Sequence, residues 1–196
     1  MSPRSAKQFD NIRKQKRKLI MDTALGLFAE NGFNATSISQ IAKKAEISKG
    51  LIYNYFDSKM EILDEIIQEG FDTVYSNFDL NRDGILTEEE FVHFIRKSFE
   101  IMKTNLEYWK LYYSLMLQPK VAESFSGEYN EKVKPILAML FNFISSKGSK
   151  DPESDVIVIS ALLEGAYLFF VTAPDLFPSD ILEEKIIEAC FKIINN

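Results

Sequence analysis

A chain of 196 residues, 46% apolar and 27% charged, can bury a real core in one or two domains and is too apolar to be disordered. Its single cysteine, Cys190, excludes an internal disulfide and reads as a small buried residue near the end of a helix. The net charge of −6 hides a division: residues 1–59 carry 11 Lys and Arg against 5 Asp and Glu, whereas residues 60–196 carry 12 against 24. A basic end on an acidic body suits contact with a polyanion.

The apolar spacing is helical nearly throughout, with no sustained alternation of period two, so an all-α fold is expected. Residues 1–18 are polar and basic without the apolar stretch of a secretory signal, which predicts a cytoplasmic protein. The basic run RKQKRK, Arg13 to Lys18, reads as the flank of a first helix with one or two residues near phosphate, and Arg4 and Lys7 as a candidate minor-groove arm. That helix spans 12–31, with Ile20, Ala24, Leu27 and Phe28 on one face and Gly32 as its stop. Thr36 or Ser37 caps a short helix, 37–44, with Gln40 three residues after Ser37 as in a capping box, and Ser48 caps a second one through Tyr53. A long helix follows from Lys59 to about Phe78. Further helices are expected over 88–105, 107–118, 122–147 (interrupted or started by Pro135), 154–172 and 180–194, with Pro119, Gly148 to Pro152 and Pro174 to Pro178 as punctuation. The most apolar run, VIVISALLEGAYLFFVTA from Val156, carries Glu164 at its centre and lacks basic anchors, so it is read as a buried helix and not as a membrane span.

Two short helices joined by a tight turn form a helix-turn-helix pattern. The second would expose Lys49, Gly50, Tyr53, Asn54 and Tyr55 while burying Ile47, Ile52 and Phe56. The run NATSISQIAKKAEISKGLIYNYFDSKMEIL, Asn34 to Leu63, resembles the DNA-binding signature of TetR/AcrR-family transcriptional regulators, and ALGLFAENGFNAT, Ala24 to Thr36, resembles that family's first helix and its Gly-aromatic turn. The detailed resemblance covers about residues 12–63. It implies a three-helix DNA-binding domain, here 1–58, followed by a helical domain, 59–196, that binds a small effector and dimerises through its last two helices. Two positions depart from the pattern: Glu46 stands where a glycine is common in the turn, and Asn54 where an aromatic residue is frequent.

Residue chemistry then suggests how DNA would be held. Ser37 and Ser48 lie at helix N-termini that attract phosphate, Lys59 opens the long helix within reach of the same backbone, and Tyr53 and Tyr55 can donate to phosphate. Lys49 suits guanine O6 and N7, Asn54 suits adenine N6 and N7, and Gly50 permits close approach. The expected partners are a double-stranded DNA operator, a second copy of the chain, and a small apolar or aromatic effector, with no membrane and no cofactor.

In the acidic body, Phe99, Met102, Trp109, Tyr112, Tyr113, Met116, Phe143 and Tyr167 are either ordinary core or walls of an effector pocket, with Glu164 as the pocket charge or as the binder of a cationic partner at the subunit interface. Ile181, Ile186, Ile187, Phe191 and Ile194 form an apolar stripe on the last helix and are the expected dimer interface. An enzyme is not expected: the sole histidine, His93, has no nucleophile at plausible spacing, and no Gly-rich phosphate loop is present.

One motif stands apart. FDLNRDGILTEEEF, Phe78 to Phe91, fits the calcium-loop template, with Asp79, Asn81, Asp83, Ile85, Thr87 and Glu90 as ligands and Gly84 at the sharp turn. The same residues read equally as a tight turn at Asp83-Gly84 followed by a capping box from Thr87 to Glu90. Such loops usually occur in pairs and this one is single, so no resident metal is expected, and a calcium-responsive binding protein is the alternative.

Overall fold

The computed structural model describes residues 6–124 and 128–195. Its ten helices among those residues are α1 (Ala6–Asn31), α2 (Ile38–Lys44), α3 (Lys49–Tyr53), α4 (Lys59–Tyr75), α5 (Glu88–Thr104), α6 (Leu106–Met116), α7 (Pro119–Ser124), α8 (Glu128–Ser146), α9 (Pro152–Thr172) and α10 (Ser179–Ile194). The all-α expectation holds.

Several boundaries moved for local reasons. Helix α4 stops at Tyr75 and not at Phe78, because the Asn77 carboxamide turns back on the carbonyls of Thr73 and Val74 and competes with a further turn. Pro119 begins a helix where punctuation was expected; its missing N–H is no loss at the first helical position. Pro135 neither starts nor interrupts α8 but lies inside it. Pro135 and Glu131, whose carbonyl loses its i+4 partner, are both exposed, so water can replace the missing bond. Arg4 lies outside the described residues, as does the side chain of Lys7.

The chain divides into two compact units. The first comprises Met1–Gly70 with Ser114–Glu123, the second Phe71–Tyr113 with Ser124–Asn196. This division falls within α4 and α6, and not at the 58/59 boundary read from the sequence. The first turns of α4 belong to the N-terminal unit because their apolar side chains, Ile62, Leu63 and Ile66, are core, and because Glu65 and Glu69 pair with Arg17 and Lys18 of α1.

In the first unit α2 packs on α1 and on α3. Ile20, Ala24, Leu25 and Phe28 supply the buried face of α1, with Leu25 in the place expected of Leu27, and they meet a core that includes Ile41, Ile52 and Phe56. Burying side chains of this size stabilises by roughly 1.5–3 kcal/mol each. The α1–α2 turn requires Gly32 at φ +85°, with its N–H on the Phe28 carbonyl at 3.0 Å. Gln118 grips the same turn: its Nε2 donates to Phe28 O at 2.7 Å, and its Oε1 accepts from Phe33 N at 2.9 Å.

In the second unit α9 packs against α5, α8 and α10. Phe99 meets Tyr167 and Phe170 edge-on at 5.1 and 5.6 Å, and Phe91 lies 5.4 Å from Phe143. Helix α9 is long and apolar enough to cross a membrane by length and composition. One face of it, Ile159, Leu163, Ala166, Tyr167, Phe170 and Val171, is buried in this unit, whereas Ile157, Val158 and Phe169 are exposed. Cys190 is buried and free, and burial pushes its thiol up to about 12.

Candidate nucleic-acid interface

The helix-turn-helix is assembled by caps that the sequence announces. Ser37 accepts from Gln40 N at 3.3 Å, while the Gln40 carboxamide oxygen accepts from both Ser37 N and Ser37 Oγ, at 2.7 and 2.8 Å, closing the capping box. Ser48 Oγ accepts from Leu51 N at 3.1 Å and starts α3. Between them Glu46 adopts φ 55°, the left-handed conformation that its glycine-like position demands. A non-glycine residue there costs on the order of 1–2 kcal/mol, and the turn holds nonetheless through Ile47 N on Ala42 O at 3.0 Å.

Helix α3 shows a sharp division of faces. Ile52 and Phe56 are fully covered, whereas Lys49, Gly50, Tyr53 and Asn54 are exposed and Ile47 and Tyr55 are half-buried. Tyr53 is 48% exposed, and Lys49 Nζ lies 5.9 Å from the centre of its ring. An amine, an aromatic hydroxyl and a carboxamide are therefore presented together on the outer surface of one short helix. That is the chemistry needed to reach phosphates and base edges.

Two expected phosphate ligands are otherwise engaged. Both the N–H and the hydroxyl of Ser37 already donate to Gln40. Lys59 does not point outward: its Nζ donates to the carbonyls of Phe33 at 2.6 Å, Thr36 at 2.7 Å and Asn34 at 3.3 Å. Loss of hydration there pulls its pKa below the ordinary lysine value. Three carbonyls at the end of a turn form a cradle that matches the three donors of an ammonium, so Lys59 fastens the α1–α2 turn. Tyr55 contributes its backbone, which accepts from Arg17 Nη1 at 2.7 Å.

Arg17 was read only as part of a basic run, yet it joins three elements. Its guanidinium pairs with Glu65, lies 4.4 Å over the Phe56 ring, and holds the chain just beyond α3 through Tyr55 O. Lys18 likewise pairs with Glu69. These two are structural, while Arg13 and Lys14 of the same run remain exposed. No local signal in the sequence announces partners 48 and 51 residues away; a helical-wheel alignment of Arg17 and Lys18 with Glu65 and Glu69 would have been the only hint.

The other predicted sites separate. Phe99, Met102, Trp109, Tyr112, Phe143 and Tyr167 are buried, Tyr113 is half-buried and Glu164 is exposed, all in the second unit, whereas Met116 falls in the first. Of the expected dimer stripe, Ile186, Ile187 and Ile194 are buried within their own chain and Phe191 lies 6.1 Å from Phe91; only Ile181 is well exposed, at 62%. The stripe is an amphipathic face, but it faces the protein's own core. The exposed apolar side chains lie instead on α9, at Ile157, Val158 and Phe169. His93 is exposed on α5.

In the loop 79–90 the capping box predicted for Thr87 and Glu90 is present. Glu90 Oε2 accepts from Thr87 N at 3.0 Å and Thr87 Oγ1 at 2.9 Å, and its Oε1 accepts from Leu80 N at 3.2 Å. These bonds, with Thr87 foremost, hold the Glu90 carboxyl below its ordinary pKa. Asp79 Oδ2 accepts from Gly84 N at 2.9 Å, and Asp83 Oδ1 from Ile85 N at 2.8 Å, across a turn in which Gly84 sits at φ 78°. Among the described residues no group of three or more His, Cys, Asp or Glu is placed to hold a metal ion.

Residues 20–66 match the family described as bacterial regulatory proteins, tetR family. The chain is 46% identical over 63 residues to the uncharacterized HTH-type transcriptional regulator YuxN of Bacillus subtilis, a match covering 32% of this chain but only 22% of that protein. It is 26% identical over 156 residues to the biofilm operon icaADBC HTH-type negative transcriptional regulator IcaR of Staphylococcus aureus, covering 76% of this chain and 81% of that one. Among solved structures, a TetR-like transcriptional regulator from Rhodococcus sp. RHA1 has the same fold, with a TM-score of 0.71 at 22% identity over 98% of this chain and 97% of that one.

Proposed function

This chain belongs to the TetR family of bacterial regulatory proteins, a DNA-binding group, and from that premise we propose that it is a cytoplasmic, effector-responsive repressor that binds a palindromic operator as a homodimer. The observation that carries the reading is the presentation of Lys49, Tyr53 and Asn54 on the open face of α3 while Ile52 and Phe56 anchor that helix in the core. Lys59, read from the sequence as DNA-proximal, and Arg17, read as part of a basic run, hold the turn and the end of α3 beside this surface.

A single five-residue helix reads only a few base pairs, so useful specificity requires two copies about one helical turn of DNA apart. The exposed apolar side chains of α9 offer a self-complementary face for that pairing, and burying Ile157, Val158 and Phe169 would remove apolar surface from water. An effector held in the second unit and preferring a different spacing of the heads would shift the dimer away from DNA. To invert a 99:1 preference it needs about 5.5 kcal/mol of differential binding.

Selection of bound sites from a random DNA pool tests the reading directly. The expected result is a palindrome with half-sites about 10 base pairs apart, centre to centre. Recovery of no enriched sequence at low salt would refute it.

A further inference from the structure

Glu164 lies where the buried and exposed faces of α9 meet. Its carboxylate accepts a hydrogen bond from the phenol of Tyr75 on α4 at 3.2 Å, and Tyr113 on α6 acts on the same carboxylate. Solvent reaches the glutamate, and both tyrosines are half-buried, so the group is open to a solute. It is nonetheless crowded by protein atoms, and the lost hydration lifts its pKa. The same crowding, with the charge of Glu164 next, lifts that of Tyr113. Among the described residues no lysine, arginine or histidine acts on this carboxylate.

The surroundings are aromatic. Tyr75 stacks on Phe71 at 4.4 Å and lies 5.5 Å from Phe94, and Tyr113 meets Tyr112 edge-on at 6.2 Å. From this arrangement we infer that Glu164, Tyr75 and Tyr113 form a binding site for an organic cation, whose charge rests on the carboxylate and whose apolar substituents rest on the rings. The site deepens the effector-binding reading above and depends on it for its regulatory meaning.

Chemistry selects this class over its rivals. A carboxylate set among aromatic rings attracts a counter-charge, and phenols donate hydrogen bonds without supplying one. A neutral solute would leave the charge uncompensated, and an anion would be repelled. A hard inorganic cation demands several oxygen ligands, whereas one carboxylate and two phenols are offered here. A lipophilic cation satisfies both the charge and the π faces, which attract cations when water is excluded.

The test uses two ions of the same shape and opposite charge, tetraphenylphosphonium and tetraphenylborate, titrated into the full-length protein by calorimetry. Saturable binding of the phosphonium is expected, weakened at least about tenfold in Glu164→Gln, retained in Glu164→Asp and Tyr113→Phe, and absent for the borate. Unliganded melting of each variant verifies folding. Equal binding of the borate, unchanged phosphonium binding in Glu164→Gln, or no binding of the phosphonium would overturn the assignment. So would a Glu164→Gln protein that loses its dimer in sedimentation while still binding the cation, because Glu164 would then be an interface group. Operator release separates the two readings. Glu164-dependent cation binding without release sustains the site and removes its effector role, whereas release by a neutral or anionic solute with no cation binding sustains the effector role and removes this site.

Discussion

Lys59 Nζ donates to the carbonyl of Phe33 at 2.6 Å and lies 4.4 Å over the ring of the same residue. The amine is thus held by the turn that it stabilises. Lys59→Ala should lower stability by about 1–3 kcal/mol, because three carbonyls lose a charged donor. Operator affinity should fall with it, but the dependence of log K on log salt should keep its slope. A phosphate-contacting lysine would lower that slope by about 0.9. Urea unfolding and salt-titrated operator binding measure the two quantities, and a reduced slope at unchanged stability would return Lys59 to the DNA surface.

Lys49 and Asn54 are exposed side chains without a core role, so their removal should leave folding alone. Lys49→Ala and Asn54→Ala are each expected to cost about 1–3 kcal/mol in operator binding and to relax preference at particular bases. Repeating the site selection with each variant shows whether one half-site position loses its preference. A uniform loss across all sequences would reduce both to backbone contacts.

Substitution on α9 and α10 should have opposite consequences. Ile157→Glu or Phe169→Glu, on the exposed face, is expected to give folded monomers with lost operator affinity. Ile187→Glu, placed in the buried face of α10, should instead unfold the second unit, since an unpaired charge in a core costs several kcal/mol. Sedimentation with circular dichroism distinguishes these outcomes; a folded, monomeric Ile187→Glu protein would restore the α10 stripe as the interface.

Both oxygens of Glu90 are occupied by Thr87 and Leu80, so calcium would have to displace the capping box to gain a bidentate ligand. Calorimetry of metal-stripped protein is expected to find no calcium site tighter than about 10⁻⁵ M. Thr87→Ala should destabilise by about 1 kcal/mol through loss of the cap. A tighter site abolished by Glu90→Gln would make calcium a candidate effector.

The raised pKa of Glu164 means that the folded protein holds its proton more tightly than the unfolded chain. The stability this contributes is complete below the unfolded value of about 4.3 and is lost as pH rises through the folded value. The groups facing it, Tyr75, Tyr113 and Tyr167, are phenols that ordinarily stay neutral in that window. Melting temperature should therefore fall less between mildly acidic and neutral pH in Glu164→Gln than in the parent. Parallel pH profiles would show that Glu164 titrates normally.

What the sequence by itself determined were the local features. Ser37, Gln40, Ser48, Thr87 and Glu90 are capping residues at fixed short spacings, and each cap formed where its spacing placed it, because a cap satisfies backbone groups within three residues and consults nothing distant. The exposure of Lys49 and Tyr53 opposite Ile52 followed from helical periodicity in the same way. Tertiary structure decided what periodicity cannot express: which partner an apolar or charged face meets. Ile186, Ile187 and Ile194 make the same stripe whether it faces a second copy or their own chain, and only the packing of α10 on α5 and α9 chose the latter. Lys59 offers the same ammonium to a phosphate or to carbonyls, and the cradle built by residues 33, 34 and 36, more than twenty positions earlier, drew it inward. Direction relative to distant residues is set by the sum of core packing, and no window of sequence short enough to read by eye contains that sum.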